Sequence, residues 1–204
     1  MIAKISATEN LGGALGYNFK KVEKGDAEVI LSKGLYQSAE GVFKMEEVLR
    51  DMQALLPQHC RTKKTVFHCS LNPHPDERLS DERLSTLAEE YMQALGYGSQ
   101  PYIVFKHHDI EREHIHIVSL RVNEQGEKIN DGFEKRRSKR ITDALEQKYG
   151  LIPSTPTQEQ VLQKASTEKP LNESVENRKT KVEKVLRAVL AHYKFASLGE
   201  LNAI

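Results

Sequence analysis

At 204 residues the chain is sized for one ordinary domain plus an extension, and a hydrophobic fraction of 38% is enough for a packed core. No apolar run is long enough to span a membrane, and the opening MIAKISATEN has no signal-type apolar segment, so a cytoplasmic protein without membrane insertion is expected. The formal net charge of +1 gives no general pull toward nucleic acid, so any basic surface must be local, and two cysteines, Cys60 and Cys69, make no disulfide framework.

In chain order, Ile2 to Ser6 reads as a first strand. NLGGALGYNFKKV follows, where Gly12, Gly13 and Gly16 make the backbone permissive around Tyr17. Read alone, Tyr17 is a half-buried core aromatic. Glu28 to Leu31 reads as a second strand. Lys44 to Leu56 is a helix whose apolar stripe is Val48, Leu49, Met52, Leu55 and Leu56, with Pro57 after its end. Thr65 to Leu71 alternates, with Val66, His68 and Ser70 on one face and Phe67, Cys69 and Leu71 on the other. His68 there reads as a core histidine. Pro73 and Pro75 stop that strand. Ser80 opens an amphipathic helix with Leu84, Leu87, Ala88, Tyr91, Met92 and Leu95 as its stripe and Gly96 as its C-cap.

The chain is organised around Tyr102 to Val122, YIVFKHHDIEREHIHIVSLRV, which holds His107, His108, His114 and His116, four of its eight histidines. Tyr102 to Phe105 and Ile115 to Val122 are strand-like, with a polar turn between them. On the second strand His114 and His116 share a face with Val118 and Leu120, while Ile115 and Ile117 take the other. A strand apolar on both faces belongs in the middle of its sheet. If the two strands pair as a hairpin, His107 folds back over the histidine pair. Three converging imidazoles with a free position suit a catalytic divalent metal, and Asp109 is placed to orient a ligand histidine.

After a turn at Gly126 comes DGFEKRRSKRI, in which Lys135, Arg136, Arg137, Lys139 and Arg140 form a phosphate-binding candidate. A helix opens at Ser138 or Arg140 and runs to Tyr149, ended by Gly150. The composition then shifts to Ser, Thr, Gln, Lys and Pro. The expected organisation is a catalytic domain over 1–152, a linker over 153–174 with a short helix near Thr157 to Ala165, and a helical extension over 175–204. Val182, Val185, Leu186, Val189 and Leu190 stripe a last helix from Val175 to Tyr193. Ser197 and Glu200 then stand at capping-box spacing with only one turn of chain after them, which suggests that the chain is the N-terminal part of something longer.

Taken together, these residues resemble a known family. The pattern HxDxxxxHxH is met by His107, Asp109, His114 and His116, with HCSLNPHPDERLSDE and GYGSQPYIVFKHHD upstream and SLRVNEQGEKI downstream. This is similar to the relaxases, or mobilization nucleases, of the MobA/VirD2 type, and most closely to those of Bacteroides mobilizable elements. These are HUH endonucleases, named for the His-hydrophobic-His motif that His114, Ile115 and His116 match. The resemblance covers about Met1 to Leu151. It implies an α+β fold: a central, largely antiparallel five-stranded sheet with helices packed against it, here followed by the helical extension. Where the family often carries a proline before the histidine pair, this chain has Glu113.

The resemblance also implies a chemistry. Tyr17, in ALGYN, matches the nucleophile of the family's N-terminal motif, with Tyr36 as a substitute. It would attack the scissile phosphodiester at a transfer origin, giving a 5′-phosphotyrosine and a free 3′-OH. A free tyrosine titrates near ~10 and needs help at neutral pH. That help would come from a divalent metal, Mg2+ or Mn2+ or another transition metal, held by His107, His114 and His116, with Asp109 fixing a ligand and His68 or Asp109 assisting proton removal. Arg121 joins the basic run as a DNA contact. The partners implied are single-stranded and hairpin DNA at the transfer origin, accessory mobilization proteins and the coupling protein of a secretion system. Two other classes are compatible with the residues: a replication-initiator-type nickase, and a non-catalytic DNA-binding module with a structural metal.

Overall fold

The computed structural model describes residues 1–37, 41–57, 59–109, 112–154 and 183. The linker beyond Ser154, the last helix other than Glu183 and the Ser197–Glu200 capping box lie outside the described residues. Among the described residues up to Ser154, five strands and four helices follow in the order β1 (Ile2–Thr8), α1 (Leu11–Glu23), β2 (Ala27–Lys33), α2 (Met45–Ala54), β3 (Val66–Asn72), α3 (Asp81–Leu95), β4 (Tyr102–His107), β5 (His114–Leu120) and α4 (Glu134–Tyr149). The strands form one sheet, β1-β3-β5-β4-β2, and every neighbouring pair is antiparallel. The α+β fold expected from the sequence is the fold observed, and β5 is its central strand.

Alternation along the strands sorts the core into two halves. Phe67, Cys69, Leu71, Val104, Ile115 and Ile117 face α3 and α4, meeting Leu84, Leu87, Tyr91, Met92 and Leu145. Val66, Ile103, Phe105, Val118 and Leu120 face the other way, against Leu11, Leu15 and Phe19 of α1 and Val48 and Met52 of α2. The caps of α3 are those the sequence predicts: Ser80 Oγ accepts from the Arg83 N–H, and Gly96 closes the helix at φ 98°.

The glycine-rich stretch before Tyr17 differs from the sequence reading, because it is helical. Asn10 caps it by accepting the Gly13 N–H at 2.7 Å, and Leu11, Leu15 and Phe19, spaced by four, are buried. The glycines serve close approach here, not turning. A Cβ on Gly13 would stand 2.6 Å from the Asn10 side chain, and one on Gly16 would touch Met45 of α2 at 3.4 Å. Helix α4 also begins earlier than the predicted Ser138 or Arg140, at Glu134, with Phe133 before it at a left-handed φ of 50°.

The connection made by α1 positions everything that follows. It joins β1 to β2, the two edge strands of the sheet. β1 ends where Thr8 pairs with Val66, beside Leu120, whereas β2 begins where Ala27 pairs with His107. The helix therefore runs diagonally from one edge and end of the sheet to the opposite edge and end. Its 13 residues measure about 20 Å, enough for the ~19 Å width of a five-stranded sheet, and the short links at its two ends supply the rest of the diagonal. This diagonal leaves one corner of the histidine face uncovered. Ile2, Lys4 and Ser6 of β1 are exposed there, while His68 and Ser70 of β3 are half-buried.

Candidate metal centre and nucleophile

The β4–β5 hairpin sets the histidines in register. His107 lies directly opposite His114, and Phe105 opposite His116. The three side chains share one face, and each offers a nitrogen within 4.8 Å of the others. The His107 and His116 rings stack at 4.2 Å, with His114 edge-on to both at 5.2 and 5.1 Å. From the next strand, His68 Nε2 reaches His116 Nδ1 at 3.0 Å.

Burial keeps these rings neutral. It lowers His107 to about 4 and His116 to about 3, helped in each case by the neighbouring imidazoles, and it lowers His114 and His68 as well. Neutral imidazoles present lone pairs, which a metal needs. His114 Nδ1 faces the Arg112 carbonyl at 3.4 Å, which can only accept, so its lone pair is on Nε2. His116 Nδ1 is engaged by His68 Nε2 at 3.0 Å, which leaves Nε2 as its unengaged nitrogen, with a lone pair there when His116 is the donor to His68. His107 Nδ1 is buried without any hydrogen-bond partner. A cation bound between the three rings would satisfy the orphaned His107 Nδ1, so the residues fit a divalent metal bound by imidazole.

Asp109 lies at the rim. Its Oδ1 is 3.8 Å from His107 Nδ1 and 3.9 Å from His114 Nε2, facing the nitrogens that would hold the ion. Its other oxygen is bound by Lys21, which holds the carboxyl below its usual range. The ring partners actually present are Asn18, the Arg112 carbonyl and His68.

Tyr17 stands over this cluster. It lies in the middle of α1, 49% exposed rather than in the core, with its ring 6.0 Å from those of both His107 and His116. One turn on, Lys21 Nζ is 5.5 Å from the Tyr17 ring centre. Tyr36 follows β2, whose last residue Lys33 pairs with Tyr102 at the end of the sheet away from the histidines. The cluster and Tyr36 are thus at opposite ends.

The basic residues divide. Arg121 is 4% exposed and donates to Asp131 at 2.9 Å and Glu134 at 3.2 Å, so its charge is spent inside the fold. Arg137 donates to the Leu95 carbonyl at the end of α3 and to the Asn130 carbonyl. Lys139 pairs with Asp143 one turn along the helix. Lys135, Arg136, Lys139 and Arg140 are exposed. Of these, Lys135 and Lys139 line a hollow of about 520 Å³ along the β1 edge, next to Lys4.

Sequence reasoning missed Asn18 and Lys21. Both follow Tyr17 on the helix, but with no element assigned to that stretch no spacing argument pointed to them.

No curated protein and no solved structure matches the chain. A family model does, that of the MobA/VirD2-like relaxase nuclease domain, over residues 17–151, from Tyr17 through the histidine hairpin to Leu151. With well over half of its length matched and a three-histidine cluster beneath a tyrosine, the chain belongs to the family of MobA/VirD2-like relaxases.

Proposed function

We propose that this protein nicks one DNA strand at a transfer origin by transesterification, with Tyr17 as nucleophile, and so initiates mobilization of a plasmid or transposon. The observation that carries this is the placing of Tyr17, a half-exposed phenol 6.0 Å from two rings of a three-imidazole cluster, on a helix that crosses the sheet above it. The resemblance of the whole motif set, HxDxxxxHxH with its flanking stretches, to relaxases of Bacteroides mobilizable elements supports that kind of element.

The uncovered corner of the sheet suits a single strand. It lies on the face of His116 and offers Lys4, Ser6 and Ser70. Lys135 and Lys139 extend this cationic surface around the β1 edge. The DNA contacts proposed from the basic run thereby narrow to those two, with Arg136 and Arg140 exposed but not lining the hollow and Arg121 and Arg137 holding the fold together.

In the reaction the Tyr17 oxygen bonds to phosphorus while the bond from phosphorus to the 3′ oxygen breaks. The phenol proton is lost and the leaving 3′ oxygen gains one. His107, His114 and His116 would hold the cation, Mg2+ or Mn2+, and Asp109 faces the same point. Bound there, a divalent ion neutralises charge on a non-bridging phosphate oxygen. Lys21 adds a positive charge beside Tyr17 as negative charge develops at the attacking and leaving oxygens. The 5′-phosphotyrosine conserves the energy of the phosphodiester, so the same site can reseal the strand. Accessory mobilization proteins and a secretion coupling protein are the partners this role requires.

The test is cleavage of a single-stranded transfer-origin oligonucleotide, with Mg2+ or Mn2+ and with chelator, followed by peptide mapping of the adduct. Cleavage only with metal, and an adduct on Tyr17, is the expected result. An adduct on Tyr36, or metal-independent cleavage, overturns it. Cleavage of a replication origin in preference to a transfer origin would move the protein to the initiator class, and binding without cleavage would make it a DNA-binding module.

A further inference from the structure

Asn18, adjacent to Tyr17, is fully buried and touches the metal cluster from the helix side. Its Nδ2 donates to the Ala14 carbonyl at 2.8 Å, and its Oδ1 lies 2.9 Å from His107 Nε2. The first bond fixes the second. A carbonyl only accepts, so the amide NH2 must point at Ala14 and the amide oxygen at His107. That oxygen carries no proton, so His107 Nε2 must be the N–H. The lone pair of His107 is then on Nδ1, the nitrogen that is buried and unpartnered. It is also the nitrogen 3.8 Å from Asp109 Oδ1, which in turn is 3.9 Å from His114 Nε2.

We infer that Asn18 is the positioning residue of the metal centre: it locks His107 as the Nε2–H tautomer, so that His107 ligates through Nδ1 while His114 and His116 ligate through Nε2. This rests on the three-histidine reading above. It also couples the two halves of the site. The residue that carries the nucleophile and the residue that sets the tautomer are neighbours on α1, so the helix cannot shift without disturbing the His107 ring. Partners of this kind are typically worth 10–100-fold in metal affinity, roughly.

The experiment uses the full chain labelled with 15N-histidine, read by long-range 1H–15N correlation, and titrated with Zn2+ as a diamagnetic probe. Wild-type protein without metal should show His107 protonated on Nε2, and Zn2+ should move its Nδ1 resonance. Asn18→Leu should weaken Zn2+ binding by about 10–100-fold and release the His107 tautomer. Asn18→Asp keeps an acceptor and should preserve the tautomer. His107 protonated on Nδ1 in the wild type, or an Asn18→Leu protein with unchanged tautomer and affinity, overturns the assignment. If Asn18→Leu fails to fold, the wild-type tautomer and the Asn18→Asp spectrum decide alone. Failure of the underlying reading looks different: wild-type protein would then bind no Zn2+, or His107→Ala would bind it as well as wild type.

Discussion

The two faces of the sheet are built from the same strands and do different work. Against α3 and α4 the face is covered. It is mostly apolar, with Ser119 and Cys69 buried in it and Lys106 paired with Asp81 of α3; burial pushes the Cys69 thiol up to about 12, and the Tyr91 hydroxyl above it bonds to Ser138 at 2.7 Å. Against α1 and α2 the cover stops short, and imidazoles occupy positions that leucine or valine would otherwise fill. His116 and Ile117 are consecutive residues of β5, one on each face. The backbone hydrogen bonds to β3 and β4 that hold one hold the other. A central strand thus gives ligands a rigid base at no cost to the core behind them.

The largest effect expected on the open face is that of Tyr17→Phe. It removes one half-exposed hydroxyl, so the covalent protein–DNA adduct should vanish on denaturing gels while oligonucleotide affinity stays within about twofold. Next comes His116→Ala, which should lower metal-dependent nicking at least about a hundredfold and shift the thermal midpoint little. Ile117→Ala is its mirror. Burial at 0% exposure predicts a loss of about 2–5 kcal/mol in denaturant unfolding, with metal binding retained at low temperature. Equal behaviour of the two neighbours would erase the distinction between the faces.

A subtler contrast is in pH. The histidine face carries groups whose folded values are depressed, His107 to about 4 and His116 to about 3. Unfolded histidines titrate near ~6.5, so below that the unfolded chain takes up protons that the folded one refuses. The associated stability is complete above ~6.5 and is lost as pH falls through the window toward 4 and then 3. In chelator, the denaturation midpoint should be level from pH 8 to 7 and decline below ~6.5. His107→Ala should make that decline shallower. The smallest effect per residue concerns the edge between the faces. Replacing Lys4, Lys135 and Lys139 with Gln should flatten the salt dependence of oligonucleotide binding by roughly 0.7 in log–log slope per lost contact. An unchanged slope would move the DNA off the β1 edge.

Much of this was legible in the residues themselves. Alternation in HIHIVSL placed β5 in the centre, because only a strand covered on both sides is apolar on both. Ser80 and Gly96 bounded α3, since capping is local chemistry. The turn from Phe105 to His114 had to bring His107 back, because hairpin strands run antiparallel. What escaped was tertiary. Gly12, Gly13 and Gly16 lower helix propensity, and the helix forms anyway because Leu11, Leu15 and Phe19 are buried and a small residue lets Met45 approach. The tie from Asn18 to His107 spans 89 residues, and no local pattern signals it. Arg121 and Arg137 read as part of a basic cluster because sequence spacing cannot see the Asp131, Glu134 and Leu95 groups that claim them.

The diagonal course of α1 has a mechanical consequence. If Tyr17 takes up DNA as proposed, the bonded end would be anchored at mid-helix, and tension on that strand would pass along α1 in both directions, to β1 at one edge and to β2 at the other. Neither edge can be peeled off alone, because the load divides between opposite borders of the sheet and is resisted by every ladder between them. On the proposed chemistry, a strand hauled away by its 5′ end would thus hang from a crossbar rather than from a hook.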